Sequence, residues 1–213
     1  MDSLIGVLLG WLLGILGQRP IIYIQQSFKK PAVKKGIIAE LQDLRYRLAY
    51  TSYVLLDRTG YIDKKYLQWI YPIIQSYKGY YTYLGLADTV AKILEIKDDE
   101  LEAAMKTMKS SADLKQGLTV RKFSYPFIDA NYGDLHMFDI GFQKNILEIR
   151  EQIKNINDEI DNARFYFTKT FDSGLSKGNA IIVKKNLESS YGYIAKMSID
   201  ATNNLSTIIE RAT

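Results

Sequence analysis

The first apolar stretch of the chain runs from Leu4 to Leu16, and glycine interrupts it at every third or fourth residue. At about 100° per residue, the small residues fall on one narrow stripe of a helix. Glycine costs a water-exposed helix roughly 1 kcal/mol relative to alanine, whereas in lipid small residues let neighbouring helices approach closely. The pattern predicts an oligomerising membrane helix. Its contact stripe is Ser3, Gly6, Gly10, Gly14 and Gly17.

The length of this segment decides whether it can cross a membrane. Leu4 to Leu16 spans only about 20 Å as a helix, against roughly 30 Å of hydrocarbon. Apolar residues resume after Pro20, and a kinked helix that continues to Ile24 reaches about 31 Å. We therefore expect a transmembrane segment within residues 1–28. A charge in such a segment faces protein or water, or extends to the headgroups. The candidates for lining a pore are Gln18, Arg19 and Gln25.

Two alternatives to a membrane span stay open. A cleaved secretory signal would need a basic start and a small-x-small cleavage site, but the chain has Asp2 near its start and Gln18-Arg19-Pro20 after the run. The thirteen residues from Leu4 to Leu16 also fit a helix buried inside a soluble protein. Fractionation of cell extracts separates the second alternative from a membrane anchor.

The rest of the chain has the spacing of helices. Apolar residues from Ile37 to Leu55, with Thr51 among them, alternate by three and four, and Asp57-Arg58-Thr59-Gly60 predicts the end of that helix. The tyrosine-rich residues 61–86 favour a core helix pair with hydroxyl groups at its rim, and contact with a membrane surface is the alternative. Residues 88–112 predict an amphipathic segment split near Asp98-Asp99.

The last third of the chain has a strict four-three alternation of apolar residues. This is the seam of a coiled coil or a long helical hairpin, and a short turn near Asp172-Ser173-Gly174 makes the two helices antiparallel. The predicted fold is therefore all-α: an N-terminal transmembrane helix, then a cytoplasmic helical bundle with a long C-terminal antiparallel hairpin. The seam positions are Phe142, Ile146, Ile149, Ile153, Ile156, Ile160, Ala163 and Phe167, then Leu187, Tyr191, Ile194, Ser198, Ala201, Leu205 and Ile208.

Residues 113–134 form the longest stretch without helical spacing. Basic residues alternate there with Phe123, Tyr125 and Phe127, an arrangement that can stack bases and hold phosphates. The alternative is a hydrophobic strap that ties the loop to the helices. Loops of this length in compact domains are usually functional or lie across a partner.

Charge is concentrated next to the apolar segment. The chain has 28 basic and 24 acidic residues, and the whole basic excess lies between Arg19 and Lys35. By the positive-inside rule we expect a single-pass protein of the inner (cell) membrane, with its N-terminus outside and residues 37–213 cytoplasmic. Residues 29–36 form a basic neck between membrane and body. Its expected lipid contacts are Lys29, Lys30, Lys34 and Lys35.

The chain offers little catalytic chemistry. It has no cysteine, one histidine (His136) at a predicted helix start, and no phosphate loop, dinucleotide fingerprint or HExxH motif. The acidic cluster at residues 98–102 lacks the glycine and later glutamate of a calcium loop. We therefore expect no enzyme activity, no cofactor and no metal.

The apolar anchor with its glycine stripe, the basic neck and the helical body together resemble small prokaryotic single-pass membrane effectors of antiphage defence, nearest the channel effector of Hailong-type systems. The resemblance implies an oligomeric ion channel, with a tetramer favoured, that depolarises the membrane when it is released or triggered through its cytoplasmic domain. It also implies a nucleotide or short nucleic-acid oligomer, made by a partner enzyme, as ligand. The basic residues that would hold such a ligand are Arg45, Arg47, Lys115, Arg121 and Lys122. A membrane-anchored coiled-coil scaffold without pore activity is the alternative.

Overall fold

The computed structural model describes the backbone of residues 2–79, 85–111 and 120–212, and the side chains of residues 28–79, 85–107 and 120–212. The described residues contain helices and loops but no strand, so the all-α prediction is confirmed. The helices are α1 (Asp2–Thr59), α2 (Lys64–Ser76), α3 (Leu86–Leu94), α4 (Asp98–Ser111), α5 (Pro126–Ala130), α6 (Ile140–Lys169) and α7 (Lys177–Ala212), with a 3-10 helix at Tyr132–Met137.

Within these described residues, no helix combines the length and the apolar character needed to cross a membrane. The side chains of residues 1–27 are outside the described set. The predicted glycine stripe from Ser3 to Gly17 and the pore candidates Gln18, Arg19 and Gln25 therefore lie outside it too.

The main core lies between α1, α6 and α7. All the predicted seam positions from Phe142 to Ala163 and from Leu187 to Ile208 are buried, and Phe167 packs against them at the edge. The seven residues between Lys169 and Lys177 reverse the chain, so α6 and α7 form the predicted antiparallel hairpin. Its seam packs on α1 of the same chain, so these positions already have apolar neighbours within one molecule.

The prediction assigned one core position of α1 wrongly. Thr51 is partly exposed, whereas Ser52 beside it is fully buried and continues the three-and-four spacing between Leu48 and Leu55. The Ser52 hydroxyl donates to the carbonyl oxygen of Ala49 at 2.8 Å, which removes the cost of burying it. A hydroxyl with a backbone partner can therefore occupy a core position that apolar spacing alone does not identify.

A second core lies on the other side of α1, under α2, α3 and α4. Where the tyrosine-rich region predicted a core helix pair with hydroxyl groups at its rim, described residues 61–79 contain one helix, α2, which buries Tyr66, Leu67 and Ile70. The Tyr66 hydroxyl lies inside this core rather than at its rim. The Tyr66 hydroxyl lies 2.7 Å from the Ser52 hydroxyl, and burial raises the pKa of Tyr66 well above its usual value. The predicted split near Asp98 is also observed, because α3 ends at Leu94 and α4 begins at Asp98.

Helix α1 ends where the turn composition predicts. Gly60 has a φ of 68°, a left-handed conformation that glycine adopts without steric cost, and its N–H donates to the carbonyl oxygen of Asp57 at 3.1 Å. The N–H of Tyr61 donates to the carbonyl oxygen of Leu56 at 2.9 Å. These bonds close the helix and redirect the chain towards α2.

Candidate functional site

The basic neck is part of α1 and is fastened to the body. Val33, inside the predicted neck, is already buried in the main core. Lys29 forms an ion pair with Asp134 at 2.7 Å, and Lys34 donates to the carbonyl oxygen of Ala212 at 2.8 Å. Because α1 runs from Asp2 to Thr59, the neck joins the amino-terminal segment to the bundle within one helix.

A cavity of about 370 Å³ opens beside this neck, where α1 meets the start of α6 and the end of α7. We call it the corner cavity. Three of its lining residues are cations and one is an acid, while Phe138, Phe142 and Ile208 give it an apolar floor. The polar residues that line it are Lys30, Lys34, Asp139, Asn145 and Arg211.

The single acid of the corner cavity has a structural role. Asp139 precedes the first turn of α6, and its carboxylate accepts the N–H of Phe142 at 2.8 Å. This is an N-terminal cap, which satisfies one of the free donors of the helix. Lys30 stands 5.9 Å from the centre of the Phe138 ring, over the apolar floor. The cavity therefore has an excess of positive charge next to apolar surface.

The described part of the irregular stretch, residues 120–134, lies across the bundle as a hydrophobic strap. Phe123 is buried, and the Asn157 side chain binds both its N–H at 2.8 Å and its carbonyl oxygen at 2.9 Å. Glu40 of α1 accepts the N–H groups of Phe127 and Ile128 at 2.9 and 2.7 Å. These contacts support the strap interpretation of this segment.

Asn157 should control how firmly the strap is held. We expect Asn157→Ala to leave the Phe123 N–H and carbonyl without these partners, at a cost of about 1–3 kcal/mol. Trypsin should then cut after Arg121 and Lys122 several-fold faster than in the wild type. Asn162→Ala is the matched control on the same helix, because the Asn162 amide binds only the exposed Glu159. Equal cleavage rates in the two variants would contradict the role given to Asn157.

The structure brings together some of the predicted ligand-binding residues. The Arg47 guanidinium lies 5.4 Å from the centre of the Phe123 ring, and Arg121 and Lys122 are exposed on the strap nearby. Lys122 also pairs with Asp161 at 2.5 Å. Arg164, which sequence reasoning missed, joins the group by donating to the carbonyl oxygen of Val120 at 2.9 Å. We call Arg47, Arg121, Lys122 and Arg164 the strap cluster.

Two of the predicted ligand-binding residues are not part of the strap cluster. Arg45 is near Glu210 of α7, and burial lowers the pKa of its guanidinium below the usual value. Lys115 lies outside the described residues. The predicted set therefore divides: Arg121 and Lys122 are on the strap, and Arg47 contacts it through the Phe123 ring.

The lone histidine has a local partner. A ring nitrogen of His136, Nδ1, lies 2.6 Å from the carbonyl oxygen of Gly133 in the 3-10 helix. Among the described residues no group of histidine and acidic side chains is placed to hold a metal ion. The contact with Gly133 indicates a structural role for His136 within the 3-10 helix.

Sequence reasoning missed the corner cavity because its residues come from three distant segments. Lys30 and Lys34 were singled out for their charge, whereas Asn145 and Arg211 are at least 111 residues away along the chain. Arg211, a cation in the last turn of a long helix, was the only feature that could have pointed to the cavity. Cations are common at that position because they complement the helix dipole, so Arg211 did not stand out.

Comparison with protein-family models, with curated proteins and with solved structures gave no match. The fold and the two surfaces described above therefore carry the functional argument by themselves.

Proposed function

We propose that this protein is an oligomeric membrane protein whose amino-terminal helices form a pore that the helical body controls. The observation that carries the proposal is the continuity of α1, which runs from Asp2 to Thr59 and is buried in the bundle from Val33 onwards. At 1.5 Å per residue this helix is about 87 Å long, far more than the bundle alone requires. The apolar segment and the central helix of the body belong to one continuous helix, which contains Pro20 and Pro31.

This continuity supplies a mechanism for gating. A shift of α1 within the bundle moves the amino-terminal segment with it, because no flexible linker separates the two. Packing through glycine has little side-chain interlock, so the pore helices can adopt two arrangements with similar contacts. The seam of α6 and α7 is used within each chain, so copies meet through the glycine stripe rather than through an intermolecular coiled coil.

The strap cluster is the proposed sensor. Arg121 and Lys122 are on the strap, whereas Arg47 of α1 lies against Phe123 and Arg164 of α6 donates to Val120. Asp161 pairs with both Lys122 and Arg164, so a polyanion bound there would compete with this carboxylate and act on α1 and α6 together. This chemistry agrees with the nucleotide or short nucleic-acid ligand implied by the resemblance to antiphage channel effectors. In that setting the protein depolarises the cell membrane when its body is triggered.

Fractionation and mass measurement test the anchor and the assembly. We expect the full chain to sediment with membranes, to resist alkaline extraction and to be released by a non-ionic detergent. The solubilised protein should have a mass that is a multiple of the 24.4 kDa chain after correction for bound detergent. A chain that stays in the supernatant without detergent would reject the membrane anchor, and a detergent-solubilised monomer would reject the pore.

A scaffold without pore activity is the second candidate, and the far end of the hairpin favours it. No described residue of α7 before Leu187 is buried, and four large apolar side chains near the hairpin turn are more than half exposed. Exposed apolar patches of this kind mark interaction surfaces. Dye leakage from liposomes separates the two candidates, because a scaffold releases no dye. The exposed residues are Phe165, Phe171, Ile181 and Ile182.

A further inference from the structure

The corner cavity combines cations with an apolar floor, and this combination fits one kind of ligand. We propose that it binds the phosphate group of an anionic phospholipid, with the first carbons of the lipid on Phe138, Phe142 and Ile208. The choice of a lipid rests on the membrane anchoring proposed above, whereas the phosphate site itself rests on the cavity alone.

The charges of the corner cavity suit a phosphate. Lys30, Lys34 and Arg211 line it, and the carboxylate of Asp139 is already engaged as the cap of α6. An ammonium group has three N–H donors, of which Lys34 gives one to Ala212, and the planar guanidinium of Arg211 matches the spacing of phosphate oxygens. The Asn145 amide adds a neutral donor. Charge-assisted bonds of this kind are the strong ones in anion recognition.

The size and lining of the cavity point to a lipid rather than to a small inorganic anion. A volume of about 370 Å³ is at the lower end for small-molecule sites and holds a headgroup with a few carbons. Phe138, Phe142 and Ile208 are each less than a tenth exposed, yet they face this opening. A free phosphate would leave that apolar surface in contact with water, whereas an acyl chain covers it.

The position of the cavity along α1 agrees with the depth of lipid headgroups. Lys30 follows Ile24, the last residue of the apolar run, by six residues, which is about 9 Å along a helix. Each headgroup layer adds roughly 5–8 Å to the hydrocarbon core. With the apolar run inside the hydrocarbon, Lys30 lies at the outer edge of the headgroup layer, and its long side chain can extend back to the phosphates.

A lipid in this place ties the neck of α1 to both the start of α6 and the end of α7. Anionic lipid then strengthens the connection between the anchor helix and the body, in addition to the Lys34–Ala212 bond. The lipid composition of the membrane becomes a regulator of the proposed gating.

The proposal can be tested with soluble short-chain lipids on the full chain in a neutral detergent. We expect dihexanoyl phosphatidic acid to bind, and dihexanoyl phosphatidylcholine and inorganic phosphate to bind at least tenfold more weakly. Lys30→Gln with Arg211→Gln should weaken binding of the phosphatidic acid by about a hundredfold, since two charge-assisted bonds are lost. Lys184→Gln with Lys185→Gln, an exposed pair on α7, should leave the affinity unchanged.

Each alternative result rejects a defined part of the proposal. Equal losses in the two double variants would show that only general charge attracts the lipid and would overturn the site. Equal binding of inorganic phosphate and phosphatidic acid would overturn the lipid assignment. Circular dichroism of the double variants checks that the helices are intact, which we expect because both Lys30 and Arg211 are exposed.

The outcome is separable from that of the fractionation experiment. A chain that stays in the supernatant and yet binds phosphatidic acid through Lys30 and Arg211 would reject the membrane anchor and keep the phosphate site. A membrane-bound chain whose affinity does not respond to the Lys30 and Arg211 changes would reject the site and keep the anchor.

Discussion

Replacing Ile153 by alanine should destabilise the body by about 3 kcal/mol, with a fall in the thermal midpoint of roughly 6–12 °C. Ile153 is at the centre of α6 and is fully buried in the core that α6 shares with α1 and α7. Truncation removes three carbons from a fully buried site. The folded state then loses the transfer free energy of those carbons and also carries the cost of the cavity that they leave. Thermal unfolding followed by circular dichroism measures the change.

The matched control is the same substitution at an exposed isoleucine. Ile181 on α7 is 70% exposed, so Ile181→Ala should change the stability by less than about 0.5 kcal/mol. If Ile153→Ala were as mild as the control, the α6 seam could not be the centre of a packed core. The contrast therefore tests the three-helix arrangement itself.

The hairpin was predictable from the sequence because its core is regular. Each turn of α6 and α7 places one apolar residue on the same face, so the positions from Ile146 to Ile160 could be assigned from spacing alone. The ends of the helices followed from local chemistry, as at Gly60, where a left-handed residue closes α1. Local information was sufficient in both cases.

The strap and the corner cavity depend on contacts between distant parts of the chain. Phe123 is held by Asn157, 34 residues later, and α5 begins at the carboxylate of Glu40, 87 residues earlier than Phe127. A polar side chain that binds backbone groups far away looks like any exposed residue in the sequence. Such partners become visible only when the helices are packed, which is why Asn157 and Glu40 were not singled out.

The same limit explains the mixed outcome for the predicted ligand residues. Arg45 and Arg47 are two positions apart on α1, so a helix turns them about 200° away from each other. Arg47 faces the strap and Arg45 faces Glu210 of α7. Charges two positions apart can be neighbours in a loop but lie on different faces of a helix.

Replacing both Gly10 and Gly14 by leucine should abolish any conductance that the wild-type protein produces in planar bilayers. The two residues are one helical turn apart on the predicted contact stripe, and a leucine at each would hold neighbouring backbones several ångströms further apart. Dispersion contacts between helices in lipid decline steeply with distance, and no hydrophobic force replaces them there. The helices should still insert, because leucine favours the membrane more than glycine does.

The body offers a matched pair of glycines for the control. Gly178 and Gly192 are exposed on α7, and a Cβ atom added at either position meets no atom within 4 Å. Gly178→Leu with Gly192→Leu makes the same chemical change away from the stripe, so conductance should be preserved. Both double variants should be present in the membrane fraction. If only the variant with leucine at positions 10 and 14 then loses its current, conduction depends on the close approach of helices along the stripe. An undiminished current in the Gly10 and Gly14 variant would mean that the pore is not built by that contact, and the scaffold would then be the better account of the molecule.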